Sequence, residues 1–237
     1  MSNKVGFGRD AKEFLAKLER GGDTRPLDET GVRITSISGS GGEKVTVGVL
    51  VSNPSGSEEA EFVLMNDHAE ELGLAVGMID EELLPEIDYY AEVARAYSSA
   101  CSSFAFSPSS LRSLSKKLIQ KGFERDVVAD AIEVFRGKGV INESELAIRR
   151  AQLLCEKLWG KGRILMKLRE DGFEDGVISV AIASLDEVDF ASNCAELIRK
   201  RFGAIPQNRQ ELDKMYASLS RMGFSSSDIK AAISLFK

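Results

Sequence analysis

The apolar positions in the second half of the chain form a pattern that occurs three times. Each copy is centred on a Gly-Phe pair, and the three glycines are Gly122, Gly172 and Gly223. Counted from that glycine, every copy has apolar residues at −8, −4, +1, +6, +9, +10 and +13. A shared spacing over some 22 positions, with a period of 50 or 51 residues, is typical of an internal structural repeat.

One copy of this pattern predicts two helices joined by a tight turn. In the first copy Leu114 and Leu118 share a helix face, and the apolar residues from +6 to +13 follow the i, i+3, i+4, i+7 rule of a second helix. The glycine fits the position after a helix end, where a left-handed backbone favours Gly. A third helix fills the rest of the period, over residues 143–159 and 188–202. We therefore expect three-helix units in tandem, each burying its apolar face against its neighbours.

The first half of the chain predicts strands. Apolar and polar residues alternate over residues 32–37, 45–51 and 61–65, and segments rich in Gly, Ser and Pro separate these runs. This pattern indicates a three-stranded antiparallel meander with one face that another element must cover. We expect a short helix at residues 68–72 and a longer helix with an acidic start over residues 80–104.

The predicted fold is mainly α, with tandem three-helix repeats preceded by a small antiparallel β-meander domain with a helix. The predicted segments are a flexible amino-terminal extension (1–30), the β-rich domain with the acidic helix (31–106), repeat 1 (107–160), repeat 2 (161–206) and a truncated repeat 3 (207–237). The third copy reaches Lys237 before a third helix, so we expect it to cap the array.

The charge of the chain is unevenly divided. The net charge is −6, but residues 1–106 carry 9 Lys+Arg and 19 Asp+Glu, whereas residues 107–237 carry 22 and 18. No apolar run is long enough to span a membrane, and the amino terminus has no apolar signal-peptide core. We expect Cys101, Cys155 and Cys194 to be buried free thiols, and the protein to be cytoplasmic.

Candidate catalytic and metal-binding residues are few. The only histidine is His68, beside Asp67 and Glu70, and we expect it to be a solvent-facing surface residue. Zinc ligands would have to cluster, and the Cys and His residues do not. Residues 39–44 resemble a phosphate-binding loop, but they lack the Gly-Lys-Ser/Thr ending and precede a strand, so they predict a hairpin loop. We expect no enzyme activity, no cofactor and no metal.

The basic residues of the repeat half are the candidate binding residues. They are Lys116, Lys117, Lys121, Arg149, Arg150, Lys157, Lys161, Arg163, Lys167, Arg169, Arg199, Lys200 and Arg201. One interpretation is a solvated face balanced by acids such as Glu170, Asp171 and Glu174. The other is an electrostatic surface for an acidic protein groove or for a phosphate backbone. A net charge of −6 argues against tight, autonomous DNA binding and favours a nucleoprotein partner.

Three motifs give the chain a resemblance to the RecX family of recombination regulators. They are residues 107–111 leading into Lys117-Leu-Ile-Gln-Lys-Gly-Phe123, the link Gly139-Val-Ile-Asn-Glu-Ser-Glu-Leu-Ala147, and Gly160-Lys-Gly-Arg-Ile164 leading into Gly172-Phe173. The resemblance covers most of residues 32–237. The chain departs from the family pattern at Ser110, where Glu is usual, at Asn142 and Glu143, where paired Asp is usual, and at Leu146, where Phe is usual.

The resemblance implies an elongated, curved array that acts as a monomer without a catalytic centre. It implies that the array lodges in the groove of the RecA filament on single-stranded DNA and blocks filament extension, ATP-linked strand exchange and the co-protease role. Single-stranded or duplex DNA would then be at most a weak partner, and a membrane none. The alternative is a helix-turn-helix transcription regulator, since a helix, a short Gly turn and a second helix also suit duplex DNA. The acidic front domain would mask the basic half, touch the filament or stabilise the first repeat.

Overall fold

A computed structural model describes residues 31–39, 42–53 and 56–236 of the chain, with only the backbone of Asn53. The extension predicted at residues 1–30 lies outside the described residues. Four strands and ten helices make up the described part.

The strands form one antiparallel sheet in the order β3-β2-β1-β4. They are β1 (Gly31–Gly39), β2 (Lys44–Asn53), β3 (Gly56–Met65) and β4 (Gly77–Ile79). The predicted meander of β1 to β3 is confirmed: β1 pairs antiparallel with β2, with Gly39 opposite Val45, and β2 pairs antiparallel with β3. The fourth strand was not predicted, because three residues with an exposed Met78 give no alternation to detect. It pairs with β1 through Val32 and Ile79.

Ten helices follow within the described residues. They are α1 (Asn66–Glu71), α2 (Leu84–Phe106), α3 (Leu111–Gln120), α4 (Arg125–Gly137), α5 (Glu143–Glu156), α6 (Lys161–Glu170), α7 (Asp175–Ala183), α8 (Phe190–Phe202), α9 (Arg209–Arg221) and α10 (Ser226–Ser234). A single 3-10 turn, Glu81–Leu83, precedes α2, and Asp80 caps it by accepting the Glu82 N–H. The mainly α fold with a small antiparallel sheet is therefore confirmed.

The chain divides into two compact units. The first unit contains the sheet, α1, α2 as far as Ser103, and the segment Lys117–Gly137; the second contains Phe104–Lys116 and the chain from Lys138 onward. These units do not follow the predicted repeat boundaries, which stay a prediction.

The first unit has its core between the sheet and the start of α2. Val32, Ile34 and Leu64 of the sheet are buried with Leu84 and Ile87 of α2. The strand pattern predicted that another element must cover one face of the sheet. The acidic helix α2, which follows the strands in the sequence, covers that face.

The segment with α4 packs against α2 in the same unit. The rings of Tyr97 and Phe135 lie 6.3 Å apart, and the Tyr89 hydroxyl donates to Asp130 across 2.7 Å. Lys121 Nζ donates to the Ser99 hydroxyl at 2.8 Å. These contacts place the second helix of the first copy beside α2.

The second unit has one continuous core drawn from helices α5 to α10. Fully buried side chains include Ala151 of α5, Ile164 and Leu168 of α6, Ile198 of α8 and Met215 of α9. Most of these belong to the repeated pattern, so the apolar period identified the core correctly.

Each repeated glycine ends a helix with the same pair of hydrogen bonds. The N–H of Phe123, Phe173 and Phe224 donates to the carbonyl five residues earlier, and the glycine N–H to the carbonyl three residues earlier. This is the Schellman arrangement, which requires a positive φ at the glycine. The φ values are +97° at Gly122, +84° at Gly172 and +88° at Gly223, so the predicted left-handed turns are confirmed.

Candidate functional site

A groove in the second unit is the candidate binding site. Residues of α6 line one side, and the end of α9, the turn at Gly223 and the start of α10 line the other, with Arg201 of α8. Its volume is about 1170 Å³. We call it the inter-repeat groove, because it lies between the first helix of copy two and the turn of copy three.

Direct backbone contact between two copies positions the walls of this groove. The N–H of Gly160 donates to the Met222 carbonyl at 2.8 Å, and the N–H of Gly162 donates to the Gly223 carbonyl at 3.0 Å. A Cβ at Gly160 would lie 2.2 Å from the carbonyl carbon of Gly223, and one at Gly223 would lie 2.2 Å from the nitrogen of Arg163. Glycine is required on both sides, since no side chain fits at that separation.

The first and second copies meet in a related way. Ser110 stands twelve residues before Gly122, as Gly160 stands twelve before Gly172. The Ser110 and Ser113 hydroxyls donate to the Asp171 carbonyl at 2.6 and 2.8 Å, and Ser110 is almost fully buried. We call these two contacts the first joint, at Ser110, and the second joint, at Gly160. In each, the start of one copy satisfies a carbonyl at the turn of the next.

Arginines in the inter-repeat groove have no carboxylate partner within the described residues. The Arg163 guanidinium lies 3.8 Å from the centre of the Trp159 ring, and its Nη1 contacts Met222 Sδ at 2.7 Å. Arg201 Nη1 donates to the Ser218 hydroxyl at 3.4 Å. Arg221 also lines the groove.

The lysines of the groove are ion-paired within the unit. Lys161 Nζ is 2.8 Å from Asp186, and Lys167 Nζ is 2.9 Å from Asp171. The hydrogen bond to Asp171 raises the pKa of Lys167. Arg150 Nε is 2.9 Å from the same aspartate, so two of the predicted binding residues hold Asp171 beside the first joint. These cations therefore have a structural role at this joint.

The structure brings together four of the thirteen predicted basic residues, namely Lys161, Arg163, Lys167 and Arg201. The others lie elsewhere: Lys116 and Lys157 are exposed and Lys117 is half-buried; Lys121 bonds to Ser99 and Ser103; Arg149 pairs with Glu145, Arg169 with Asp175 and Lys200 with Glu196; Arg199 lies over the Phe236 ring. Their part in partner binding stays a prediction.

Arg221 was missed by the sequence analysis. It is isolated in the chain, and the prediction selected clusters of positive charge. The repeat places Arg221 at the same position as Glu170, two residues before the glycine, but the opposite charges at this position give no sequence signal for a cationic site.

The remaining candidate residues are the histidine and the three cysteines. His68 is half-buried with its ring 4.3 Å from that of Tyr90, so the prediction of a solvent-facing histidine is wrong. Cys155 and Cys194 are buried as predicted, but Cys101 is only half-buried. In the described part of the chain no group of three or more His, Cys, Asp and Glu side chains is placed to hold a metal ion. None of the described helices combines the length and apolar character needed to cross a bilayer.

Tandem helical units whose first turns and glycine turns interlock, with a cationic groove between two of them, define a helical-repeat protein. No family model matches the chain. It is 30% identical over 122 residues to regulatory protein RecX of Halorhodospira halophila (strain DSM 244 / SL1), a match covering 51% of this chain and 75% of that protein. It is 29% identical over 128 residues to regulatory protein RecX of Xanthomonas oryzae pv. oryzae (strain MAFF 311018), covering 52% and 77%.

Two solved structures share the fold. A crystal structure of regulatory protein RecX superposes with a TM-score of 0.67 at 19% identity, over 85% of this chain and 98% of that one. RecX from Lactobacillus salivarius gives a TM-score of 0.52 at 19% identity, over 61% and 96%. The chain belongs to the RecX family of regulatory proteins.

Proposed function

We propose that this protein binds the RecA filament on single-stranded DNA and inhibits its extension, its ATP hydrolysis and strand exchange, and its co-protease activity. It would thereby modulate recombinational repair and the SOS response. It acts by binding, as a cytoplasmic monomer, and carries out no catalytic step of its own.

Besides membership of the family, the inter-repeat groove is the structural feature that supports this proposal. Arg163, Arg201 and Arg221 converge there without carboxylate partners among the described residues, so their charge is available to a partner. An unpaired guanidinium in a concave, partly apolar site binds an anion more strongly than the same group on an open surface, because less water screens it.

The charge balance favours a protein filament over bare DNA. A chain of net charge −6 is repelled by a phosphate backbone at long range, and only its local cationic surfaces attract one. A nucleoprotein filament offers acidic protein surface together with DNA, and a local cationic groove can dock on it without a strongly basic chain.

DNA-dependent ATP hydrolysis by purified RecA tests the proposal. We expect the full chain to inhibit it at fewer than one molecule per RecA, because blocking the growing end affects many subunits. Full ATP hydrolysis at equimolar protein would contradict the proposal.

A matched pair of variants locates the binding surface. Arg163→Gln, Arg201→Gln and Arg221→Gln together remove the groove charge, while Arg209→Gln, Lys214→Gln and Lys230→Gln remove an equal charge at exposed residues that do not line it. We expect the first triple variant to lose inhibition by about tenfold or more and the second to retain most of it. Equal loss in both would mean that general charge, and not the groove, drives binding.

Duplex DNA binding separates the alternative class of function. A helix-turn-helix transcription regulator would bind duplex DNA at about nanomolar concentrations, with sequence preference and a steep salt dependence. We expect weak binding without sequence preference. Tight, sequence-specific binding without any effect on RecA would favour the transcription regulator.

A further inference from the structure

We infer that the inter-repeat groove takes an extended acidic peptide segment of the partner protein, with a bulky apolar side chain seated among the acids. The inference rests on the proposed function, because it specifies the chemistry of the partner at the same site.

The three arginines suit carboxylates. A guanidinium presents a planar fork of donors that matches a carboxylate in a two-point hydrogen bond. Stacking on Trp159 and the contact with Met222 hold the Arg163 group in one orientation, so little side-chain entropy is lost when an anion binds. Arg201 and Arg221 provide two further positions around the same groove.

The groove also has an apolar part. Met166 is on the same helix as Arg163, lines the groove and is 61% exposed, so the groove offers an accessible apolar side chain beside its arginines. A methionine adapts its shape to an incoming apolar group. An acidic segment with no apolar residue would leave this surface uncovered.

Two features argue against a nucleic-acid strand in this groove. Glu170 and Asp228 line it, and a continuous phosphate backbone would run against both carboxylates. A peptide can instead place neutral residues opposite them. Proteins that bind single-stranded nucleic acid combine a cationic groove with aromatic rings on which the bases stack, and here Arg163 already covers a face of Trp159.

Trp159 is the only tryptophan of the protein, so its fluorescence reports on the groove. We would titrate the full chain with a synthetic peptide of alternating Asp and Glu about ten residues long with one central Leu. Three matched probes would be a peptide with Asn and Gln in place of the acids, a peptide with Ser in place of Leu, and an oligothymidylate of equal charge. We expect the acidic Leu peptide to shift the emission and to bind at least about tenfold tighter than each other probe.

Variants connect the signal to the named side chains. Arg201→Gln and Arg221→Gln leave the Trp159 stack intact and should each weaken peptide binding several-fold, while Lys214→Gln, at an exposed residue that does not line the groove, should leave it unchanged. Met166→Ala should weaken binding of the Leu peptide but not of the Ser peptide. Circular dichroism would confirm that each variant folds.

The outcomes are decisive in both directions. Tighter binding by the oligothymidylate, or equal binding by the neutral peptide, overturns the inference. If no peptide binds but the chain still inhibits RecA, the acidic-peptide inference is wrong and the proposed function stands. If the acidic peptide binds and RecA is not inhibited, the groove chemistry is right and the proposed function is wrong.

Discussion

The N–H of Gly160 donates to the carbonyl oxygen of Met222 across 2.8 Å, so the first turn of one helical copy caps the last turn of the next. Ser110 makes the equivalent contact to Asp171 with its hydroxyl. One joint is thus built from backbone in direct contact and the other from the buried side chain of Ser110 at the same repeat position.

Replacing Gly160 with alanine should disrupt the second joint. The new Cβ would meet the carbonyl carbon of Gly223 at 2.2 Å, and the backbone would have to separate, so we expect a loss of about 3 kcal/mol or more in the free energy of unfolding. Denaturant unfolding followed by circular dichroism measures it. The control is Gly176→Ala in α7, where nothing lies within 4 Å and stability should rise by up to about 1 kcal/mol.

Substitutions at two of the glycine turns distinguish the cost of a left-handed backbone from the cost of steric crowding. Gly122 has φ +97° and open space around it, so Gly122→Ala should cost about 1 kcal/mol from the left-handed backbone alone. Gly172 has φ +84°, and a Cβ there would also lie 3.0 Å from the Ser110 hydroxyl oxygen. We therefore expect Gly172→Ala, and still more Gly172→Val, to lower the melting temperature further than Gly122→Ala. Equal effects would mean that Ser110 moves aside freely.

Ser110→Ala should weaken the first joint. This hydroxyl donates to the Asp171 carbonyl and accepts from the Ser113 N–H, so its removal leaves one partly buried acceptor with fewer partners and one helix start without its cap. We expect a loss of about 1–2 kcal/mol in the free energy of unfolding. The hydroxyl of Ser115 bonds only within its own helix, and Ser115→Ala should change stability by less than about 0.5 kcal/mol.

Stability should fall at alkaline pH in part because of one thiol. Burial, with a smaller effect of the Asp228 charge, raises the pKa of Cys194 from 9.0 to about 11. Between these values the unfolded chain has lost a proton that the folded chain retains, so the free energy of unfolding decreases as pH rises through that window.

Melting temperatures measured at pH 8, 9, 10 and 11 check this expectation. The decrease from pH 9 to 11 should be smaller in Cys194→Ala than in the wild type. Ser115→Ala, which removes no ionisable group, is the control. Burial also raises the pKa values of Tyr89 and Tyr97, which should produce the decrease that remains.

Periodicity predicted what local geometry determines. A glycine followed by a phenylalanine at the end of an apolar stripe favours a left-handed turn closed by two hydrogen bonds. All three copies adopt this turn. The joints could not be predicted in this way, because Ser110 and Gly160 share no chemical signature. Both residues are small enough to let the facing carbonyl approach. Gly160 has no side chain, and the side chain of Ser110 is short enough to bond to that carbonyl.

The candidate site was predicted in part. Counting charges identified Lys161, Arg163, Lys167 and Arg201, which do line one groove. Counting charges could not distinguish cations that form ion pairs from those that do not. Lys161, for example, pairs with Asp186, which is far away in sequence. Exposure after folding and ion pairing across helices are tertiary properties, and no local pattern encodes them.

The joints also set a condition on how such a gene can lengthen by duplication. The residue twelve before Gly223 is Glu211, where the earlier copies carry Ser110 and Gly160. A duplicated unit stacked at that place would present a carbonyl oxygen to a carboxylate side chain, which repels it. A further unit stacked on copy three would therefore need a small residue in place of Glu211 as well, whereas duplication of an earlier copy would bring its own Ser110 or Gly160 to the new joint.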